Sequence, residues 1–572
     1  MRALAVSACL LLVVAVTVAA AASAAAPACR PLTSVDPQAL ATFQFDDEPG
    51  SRFALPDGER YHVGEISIVR QDVFERPANW LHRQANRYHP KTRERVVRSV
   101  LPMRPGDAVD ARLLAEAERI LRSKVYLYDA RVIPLRICGD ELDVLVVIRD
   151  VWSLMPRLSV VRAGGENDIG IGISDLNVAG SGKSLLLGYD KGQDRRGVVL
   201  AASDPNIADS RWAANLVLVD NDDGGRVAFS VRRPFYSLKT RYAFRVDGDD
   251  FERDEGLYFL SNKLWEYRAD TRFVRVAGSW STGLRDRFVN RVSLGFARET
   301  YRFDLPAALL AAVAGTADPD RRFGYPYLAF ERVEDDFDKR VNVDRVQRTE
   351  DLALGQRVYG ELGYSSDAGG GDGEYLVGRA SFADAAWLTD RQLLSFQSSL
   401  GGYYDLDDQR SENVFAQALL TYRWQHAESW SLLIRGAAAA SRNTTLDQQL
   451  LLGGSTGLRG YPNRYQIGDR RILFTLEERY YSSIYPLQMF RLGTAAFVDV
   501  GRAWYEDDVP DWVPADRSAD HFGTLGNVGI GLRLESTRTR RDLILHLDVS
   551  VPWRSGPEVR NVEVTLTAKQ SL

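Results

Sequence analysis

The last strand-like stretch of the chain, NVEVTLTAK from Asn561 to Lys569, alternates between apolar and polar residues. Because successive side chains of a β-strand point to opposite faces, the apolar residues of this stretch and its continuation share one face: Val562, Val564, Leu566, Ala568 and Leu572. The other face carries the polar residues Glu563, Thr565, Thr567 and Lys569. One face suits lipid and the other suits a water-filled lumen, which is the pattern of a transmembrane β-barrel strand.

The same pattern extends back along most of the chain. From about Trp152 to Leu572 the sequence is a series of strand-length segments with alternating polarity, such as RVAFSVRRP and LILHLDVSV, separated by turns rich in Gly, Asp and Asn. Helical periodicity is almost absent from this region. A soluble array of β-sandwiches would show the same alternation, but it would need several domains, and no linkers separate them. The pattern therefore predicts an all-β transmembrane barrel of antiparallel strands.

The N-terminus predicts export. Met1 and Arg2 precede an apolar run from Ala3 to about Ala22, and the small residues of ASAAAPAC that follow supply signal-peptidase sites. No basic stop-transfer cluster comes after the run, which disfavours a retained membrane helix. Residues 1–26 are therefore predicted to be a signal peptide. Its removal would leave two cysteines, Cys29 and Cys138, and an oxidising compartment permits a disulfide between them.

A segment of mixed character lies between the signal peptide and the predicted barrel. It contains a short strand from Glu65 to Arg70, then helices, and then the strands VIPLRIC and ELDVLVVIRD. One helix is predicted from Thr92 to about Leu101. The next helix has Asp110 as a plausible N-cap and an apolar stripe that consists of Leu113, Leu114, Ala117, Ile120 and Leu121. The pattern predicts a compact β-α-α-β-β domain over residues 61–150.

The stretch TRERVVRSVLPMRPGDAVDARLLAEAERILRSKVYLYDARV, from Thr92 to Val132, resembles a POTRA domain, the periplasmic module of outer-membrane insertases and two-partner secretion translocators. With the barrel, nearly all of the mature chain is similar to this superfamily, which includes BamA/TamA-type barrels and the bacterial surface antigen family. One POTRA-like unit is present, whereas the best-known members carry two or more. A direct count of strand-like segments is nearer twenty, but the resemblance implies about 16 barrel strands, and we predict that number, with the remaining segments forming loop hairpins.

The stretch GGSTGLRGYPNRY, from Gly453 to Tyr465, has two interpretations. Its first five residues match G-x-S-x-G, the nucleophile elbow of many serine hydrolases, with Ser455 as the nucleophile. In the POTRA-containing superfamily, however, a long loop folds back into the barrel lumen and carries a Val/Leu/Ile-Arg-Gly-Phe/Tyr tip. Four residues match that tip position by position: Leu458, Arg459, Gly460 and Tyr461.

Further motifs of the superfamily follow this stretch in the expected order. AFVDVGRAW supplies an F/G-x-D-x-G motif on the second strand past the loop, with the residues Phe497, Asp499 and Gly501. Glu477 matches an acidic residue on the strand between, and five strand-like segments follow the loop. Since the alternate residues of AFVDVGRAW are apolar, Phe497 and Asp499 should face the lumen. Arg459 is expected to pair with Asp499 and to stack on Phe497, which would pin the loop inside the barrel, while Gly460 allows a tight turn.

A serine hydrolase would need a sharp turn and a helix at Ser455, followed by an acid and a histidine. No helical pattern follows Ser455, and only His521 and His546 lie downstream. The six histidines of the chain are scattered, and there is no Cys-x-x-Cys motif, so no transition-metal site is indicated. The sequence predicts neither an enzyme nor a cofactor-binding protein, and it predicts no nucleic-acid partner.

The predicted organisation is a signal peptide (1–26), an N-terminal lead (27–60), a POTRA-like periplasmic domain (61–150) and a barrel (151–572) in the outer membrane of a Gram-negative bacterium. The resemblance implies that the protein assists insertion or translocation of client polypeptides through POTRA capture and a lateral seam. That seam would lie between the first strand, near Arg157 to Ala163, and the last, Val562 to Lys569. The predicted partners are outer-membrane lipid and client polypeptides. A passive pore or structural barrel, and a translocator dedicated to one exported partner, remain the alternatives.

Overall fold

The structure is a computed structural model that describes residues 29–32, 45, 55, 58–313, 320–506, 509–513, 523–539 and 544–569. The predicted signal peptide, most of the predicted lead, His521 and Leu572 lie outside the described residues. Across the described ranges, no helix is both long and apolar enough to cross a membrane. The described chain forms a small α/β domain followed by a closed β-barrel.

The N-terminal domain comprises residues 61–150 together with one strand from the lead. Its strands are β1 (Cys29–Pro31), β2 (Tyr61–Gln71), β3 (Ala108–Val109), β4 (Leu127–Cys138) and β5 (Glu141–Asp150), and its helices are α1 (Trp80–Tyr88), α2 (Glu94–Val100) and α3 (Ala111–Arg122). The strands form one sheet in the order β1-β4-β5-β2-β3. β2 is parallel to β5, and the other neighbouring strands are antiparallel.

Both predicted helices of this domain are present. Asp110 caps α3, because its side chain accepts a hydrogen bond from the Leu113 backbone N–H at 2.9 Å. The apolar residues of α2 and α3 are buried in one core with the sheet. The sequence pattern does not predict α1, because the buried residue of that helix is His82 rather than an apolar stripe.

Cys29 and Cys138 form a disulfide, and they lie opposite each other where β1 pairs with β4. The bond joins the lead to the β4–β5 hairpin across a sequence separation of 109 residues. A cross-link that closes so long a loop restricts the unfolded chain strongly, and it stabilises the folded domain for that reason.

Replacing both cysteines by serine is expected to lower the free energy of unfolding of the N-terminal domain by about 2–5 kcal/mol. Urea denaturation, followed by protease cleavage within the domain, measures the loss. Thiol labelling of the denatured mature protein without reductant should detect no free cysteine. Two labelled cysteines, with unchanged stability of the serine variant, would contradict the disulfide.

Within the described residues the barrel wall contains twenty antiparallel strands, and its last strand closes against its first. The wall strands are β6 (Leu154–Ala163), β7 (Glu166–Asp175), β8 (Ser184–Lys191), β9 (Arg196–Ile207), β10 (Trp212–Asn221), β11 (Gly224–Arg233), β12 (Tyr242–Phe259), β13 (Asn262–Arg285), β14 (Phe288–Asp304), β15 (Arg321–Glu334), β18 (Arg357–Ser365), β19 (Tyr375–Thr389), β20 (Gln392–Asp405), β21 (Arg410–Ala427), β22 (Trp430–Arg442), β25 (Arg470–Tyr481), β26 (Phe490–Trp504), β27 (Leu525–Ser536), β28 (Ile544–Pro552) and β29 (Glu563–Lys569). Two hairpins lie outside the wall, β16 (Phe337–Val341) with β17 (Thr349–Ala353) and β23 (Leu450–Leu452) with β24 (Gln466–Gly468). A short helix, α4 (Ala307–Ala312), lies between β14 and β15.

The prediction of sixteen strands is wrong. That number came from the resemblance, and several segments that it assigned to loop hairpins pair into the wall instead. Each of these segments can present an apolar outer face while it pairs on both edges; β11, for example, exposes Val227, Phe229 and Val231. The direct count of strand-like segments, nearer twenty, agrees better with the structure. A segment with complete alternation can bury its polar face and expose its apolar face only as part of the wall.

The predicted alternation of the last strand is confirmed. Val562 and Val564 are exposed on the outer surface, whereas Glu563 and Thr565 are buried. Large apolar residues are exposed on wall strands around the barrel, and many buried residues that face inward are charged. An apolar outer face around a polar interior is what a barrel needs in a bilayer.

Two long connections enter the lumen from opposite ends of the barrel. We call the end where β6 begins, beside the N-terminal domain, the near end, and the opposite end the far end. The lumenal loop (residues 443–469) joins β22 to β25 at the far end and contains β23 and β24. The near-end hairpin (residues 335–356) joins β15 to β18 and contains β16 and β17. Five wall strands, β25 to β29, follow the lumenal loop, as predicted.

Candidate functional site

Arg459 holds the tip of the lumenal loop against the barrel wall. Its guanidinium forms a bidentate salt bridge with Asp499, with Nε donating to Oδ2 at 2.8 Å and Nη2 donating to Oδ1 at 2.9 Å. Nη1 donates to Glu477 at 2.9 Å and to Asp548 at 3.4 Å. The guanidinium carbon lies 3.2 Å from the centroid of the Phe497 ring. All five side chains are buried, so these contacts are formed away from water.

Strand register explains why these side chains converge. Phe497 and Asp499 lie on the inward face of β26, and Glu477 on β25 pairs with Phe497. Asp548 comes from β28 and was not among the predicted residues. A signal for it exists in LILHLDVSV, where the polar residues His546, Asp548 and Ser550 alternate with apolar ones.

Two further arginines balance the buried carboxylates. Arg533 donates to Asp548 at 2.5 Å and lies 3.5 Å from Glu477, and Arg479 donates to Glu477 at 2.9 Å. Removing one partner of such a group leaves an uncompensated buried charge, which costs about 3–5 kcal/mol. The network therefore holds the loop firmly only while every member is present.

The other residues of the loop tip fit closely against the wall. A Cβ atom at Gly460 would lie 2.7 Å from the Cβ of Asn527, so this glycine is required by close approach rather than by a positive φ. Leu458 and Tyr461 are buried in an apolar cluster at the far end, and the Tyr461 hydroxyl donates to the Gly526 carbonyl at 3.1 Å. Gly501 leaves room for Leu452 and Leu473, which a Cβ atom would approach to 3.2 Å.

Ser455 does not lie in a nucleophile elbow. It is exposed, and residues Gly454–Thr456 form a single 3-10 turn that leads into the loop tip rather than into an α-helix. Its backbone N–H donates to Asn463 Oδ1 at 2.8 Å, which shapes the loop.

The lumenal loop also contacts the place where the barrel closes. Within the described residues, β29 pairs with β6 at one position, Leu566 opposite Arg162, whereas β28 and β29 pair along seven residues. Gly164, in the turn after β6, has a φ of +56°, and a Cβ atom there would lie 2.2 Å from the backbone nitrogen of Asn463. On β29, the Thr565 hydroxyl donates to the Arg459 carbonyl at 3.5 Å. The loop therefore contacts both sides of this seam.

The near-end hairpin contacts the same network from the other side. Asp344, near its tip, accepts hydrogen bonds from Arg423 at 3.0 Å and lies 3.7 Å from Arg479, which also binds Glu477. The hairpin is fastened to the N-terminal domain as well, because Arg122 of α3 donates to Asp351 at 2.8 Å. A chain of ion pairs thus runs from the N-terminal domain through the hairpin to the lumenal loop. Sequence reasoning missed the hairpin.

Glu350 lies at the centre of the hairpin tip, where its carboxylate accepts hydrogen bonds from the backbone N–H groups of residues 343–345. Burial, with the nearby charge of Asp344, raises the pKa of Glu350 to about 8 from its usual 4.5. A carboxyl whose pKa is raised on folding favours the folded hairpin fully below about pH 4.5, and this contribution is lost as the pH rises through about 8.

We expect the hairpin to loosen as the pH is raised toward about 8, because the contribution of Glu350 falls between its ordinary pKa and its raised one. Tryptic cleavage after Arg345 or Arg348, in the hairpin tip, measures the loosening. Glu350→Gln is the matched control, because it keeps the shape of the side chain and removes the ionisation. An equal pH response in the two proteins would show that Glu350 is not responsible.

The fold and the lumenal network define a closed β-barrel whose internal loop is clamped by buried ion pairs. Comparison with known protein families and with curated proteins gives no match. Solved structures that are similar include BamA from Haemophilus ducreyi lacking POTRA domains 1–3 (12% identity, 90% of this chain and 85% of that chain, TM-score 0.36) and CdiB from Acinetobacter baumannii (12%, 90% and 74%, TM-score 0.40). CdiB from Escherichia coli is 11% identical over 95% of this chain and 94% of that chain, with a TM-score of 0.34. Because these similarities are distant, we infer function from the geometry of this chain.

Proposed function

We propose that this protein is an outer-membrane β-barrel that inserts polypeptides into the membrane or translocates them, without covalent chemistry. The observation that carries the proposal is the seam, where β29 and β6 pair at one position among the described residues. The neighbouring strands β6 and β7 pair along ten residues. Since a backbone hydrogen bond contributes about 0.5–1.5 kcal/mol net, the seam is the least costly place for the wall to open.

An open seam supplies the means of insertion. The freed edges of β6 and β29 carry unpaired N–H and C=O groups, which a client strand satisfies by adding to the sheet. The client is then held by main-chain hydrogen bonds, which do not depend on its sequence. This mode of binding fits partners that are themselves barrel proteins or exported chains.

The lumenal loop controls the seam in this proposal. It contacts the turn after β6 through Gly164 and contacts β29 through Thr565, so the docked loop positions the two edges to which a client strand adds, and insertion requires the docked loop. Arg459 and the carboxylates around it set the strength of docking. The clamp consisting of Leu458, Arg459, Gly460, Tyr461, Glu477, Phe497, Asp499 and Gly501 is thus proposed as the control site.

We further propose that residues 61–150 act as a POTRA-like domain in the periplasm, after removal of the signal peptide, and deliver clients to the near end. The disulfide between Cys29 and Cys138 suits an oxidising compartment. The near-end hairpin links this domain to the lumen, so that capture of a client can be transmitted to the loop. The two connections that enter the lumen favour a gated barrel over a passive pore.

Reconstitution into liposomes tests the proposed function. Purified protein should accelerate the insertion of a denatured model barrel, which heat-modifiable migration on gels detects, while resting conductance stays low. Steady conductance without acceleration would instead support the passive pore. Transport of one genetically neighbouring exported protein, without insertion of the model barrel, would support the dedicated translocator.

A further inference from the structure

Helix α1 turns its apolar side chains away from the protein. Trp80, Leu81 and Tyr88 are 66%, 60% and 73% exposed. With 3.6 residues per turn, these three positions fall within about 100° of one another around the helix. The opposite face carries His82, whose ring stacks on Phe74 with the centroids 4.0 Å apart. A helix on the surface of a soluble protein has the reverse arrangement, with its apolar stripe inward.

Polar contacts fix α1 in this orientation. Asn86 brackets Phe74, because its Oδ1 accepts from the Phe74 N–H at 3.0 Å and its Nδ2 donates to the Phe74 carbonyl at 2.8 Å. Asn79 caps the helix by accepting from the His82 N–H at 2.9 Å. Burial lowers the pKa of His82, which disfavours a positive charge on the inward ring. The helix therefore cannot bury its aromatic residues by rotating without losing these contacts.

A second exposed apolar segment lies beside α1. The turn between β25 and β26 (residues 482–489) exposes Ile484 and Leu487 by 58% and 67%. Arg538 joins the turn to the segment against which α1 packs, because it donates to the carbonyls of Gln488 at 2.8 Å and of Val73, next to Phe74, at 2.7 Å. We call the combined surface the interface patch, and its residues are Trp80, Leu81, Tyr88, Ile484 and Leu487.

The turn 482–489 of the interface patch follows directly from the apolar outer surface of the barrel. Tyr480, at the near end of β25, packs on Trp430, with the ring centroids 4.9 Å apart, and Trp430 is exposed on the outer surface. Aromatic residues at a barrel rim mark the level of the lipid headgroups. Since the turn 482–489 begins two residues after Tyr480, the turn lies close to that level.

Exposed basic residues flank the apolar side chains of α1. Arg83 and Arg87 lie on the side of the helix next to Trp80, and both are exposed. An apolar helix face with arginines at its border is the pattern of a helix that lies in the plane of a membrane interface, where the arginines bind phosphate groups.

We propose that α1 and the turn 482–489 are embedded in the lipid leaflet at the near end, with phospholipid headgroups as the partner of Arg83 and Arg87. This anchor holds the N-terminal domain on the membrane beside β25 to β28. The inference rests on the proposed membrane location of the barrel and assigns a second, independent lipid contact to the N-terminal domain.

Site-specific quenching tests the anchor in the full-length protein. A fluorophore on Leu81→Cys, in nanodiscs of zwitterionic and anionic phospholipids, should be quenched several-fold more by a nitroxide just below the headgroups than by one at the end of the acyl chain. Two labelled controls accompany it. Glu65→Cys is exposed on β2, on the face opposite Ile66 and the helices, and should not be quenched; Leu420→Cys on the outer surface of β21 should be quenched.

The controls separate the possible failures. Quenching at position 420 without quenching at position 81 would overturn the anchor alone, and it would indicate that the patch binds a protein instead. No quenching at position 420 would overturn the membrane location and the anchor together. The added substitutions Arg83→Gln and Arg87→Gln remove the two charges that are proposed to bind headgroups. In the labelled Leu81→Cys protein they should lower the quenching in nanodiscs that contain anionic phospholipid to the level found in purely zwitterionic nanodiscs. An unchanged level of quenching would overturn the assigned headgroup contact.

Discussion

Arg459→Ala is expected to release the lumenal loop and abolish insertion activity while the barrel still assembles. The substitution leaves Asp499, Glu477 and Asp548 without the guanidinium they share, and breaking a buried ion-pair group from one side costs about 3–5 kcal/mol. A change of that size shifts the ratio of docked to released loop by at least about a hundredfold. Because the loop enters from the far end, protease added to intact cells should cleave between residues 443 and 469.

Variants in the same region sharpen this test. Arg459→Lys keeps the charge but cannot form the bidentate salt bridge with Asp499, so it should release the loop partially. The combined Arg459→Ala and Asp499→Ala substitutions should cost less than the sum of the two single ones, because the two residues share one interaction. Ser455→Ala, in the exposed part of the same loop, should change neither cleavage nor activity. Wild-type protease resistance and activity in Arg459→Ala would show that the clamp does not hold the loop.

The parts of the fold that could be predicted are those encoded by local pattern. Alternation such as that of Val562 to Thr565 indicates a barrel strand, because one face must meet lipid and the other the lumen. The cap at Asp110 and the apolar stripe of α3 likewise depend on neighbours in the sequence. The number of wall strands does not, because it depends on which segments find partners on both edges.

The candidate site likewise contains residues that sequence motifs predict and residues whose position depends on the fold. The pairing of Arg459 with Asp499 could be proposed because both residues belong to motifs, and the structure places them 2.8 Å apart. Asp548 could not be assigned, because its approach to Arg459 depends on the register across β25 to β28. The near-end hairpin reads in the sequence as a charged connection between strands. The carboxylates of the hairpin become part of the site only in the folded protein, where they contact Arg122 and Arg479 on elements distant in sequence.

Helix α1 shows a third reason why a sequence pattern can fail to predict an element of the fold. Its inward face is polar, so a search for an inward apolar stripe passes over it. The residues Trp80, Leu81 and Tyr88 point outward, and they make sense only if the surroundings are apolar. An exposed apolar face is the reverse of the arrangement in soluble helices, so it is evidence about the medium that surrounds the helix.

A disulfide across the seam tests lateral opening most directly. Leu566 and Arg162 pair across β29 and β6, and paired positions in an antiparallel sheet are close enough for a disulfide. We expect Arg162→Cys with Leu566→Cys, once oxidised, to lose insertion activity and to recover it on reduction. The matched control is Leu547→Cys with Leu566→Cys, which links β28 to β29 at the same position of the last strand and leaves the seam free. Both proteins retain Cys29 and Cys138, so the effect of the reductant on that bond is the same in each.

The insertion rate of a model barrel, measured for both oxidised proteins in liposomes, is the decisive quantity. A closed seam that blocks insertion, beside a control that inserts at the wild-type rate, is the expected result. Wild-type insertion by the seam-linked protein, with the cross-link shown to be complete by gel mobility, would contradict lateral opening between β6 and β29.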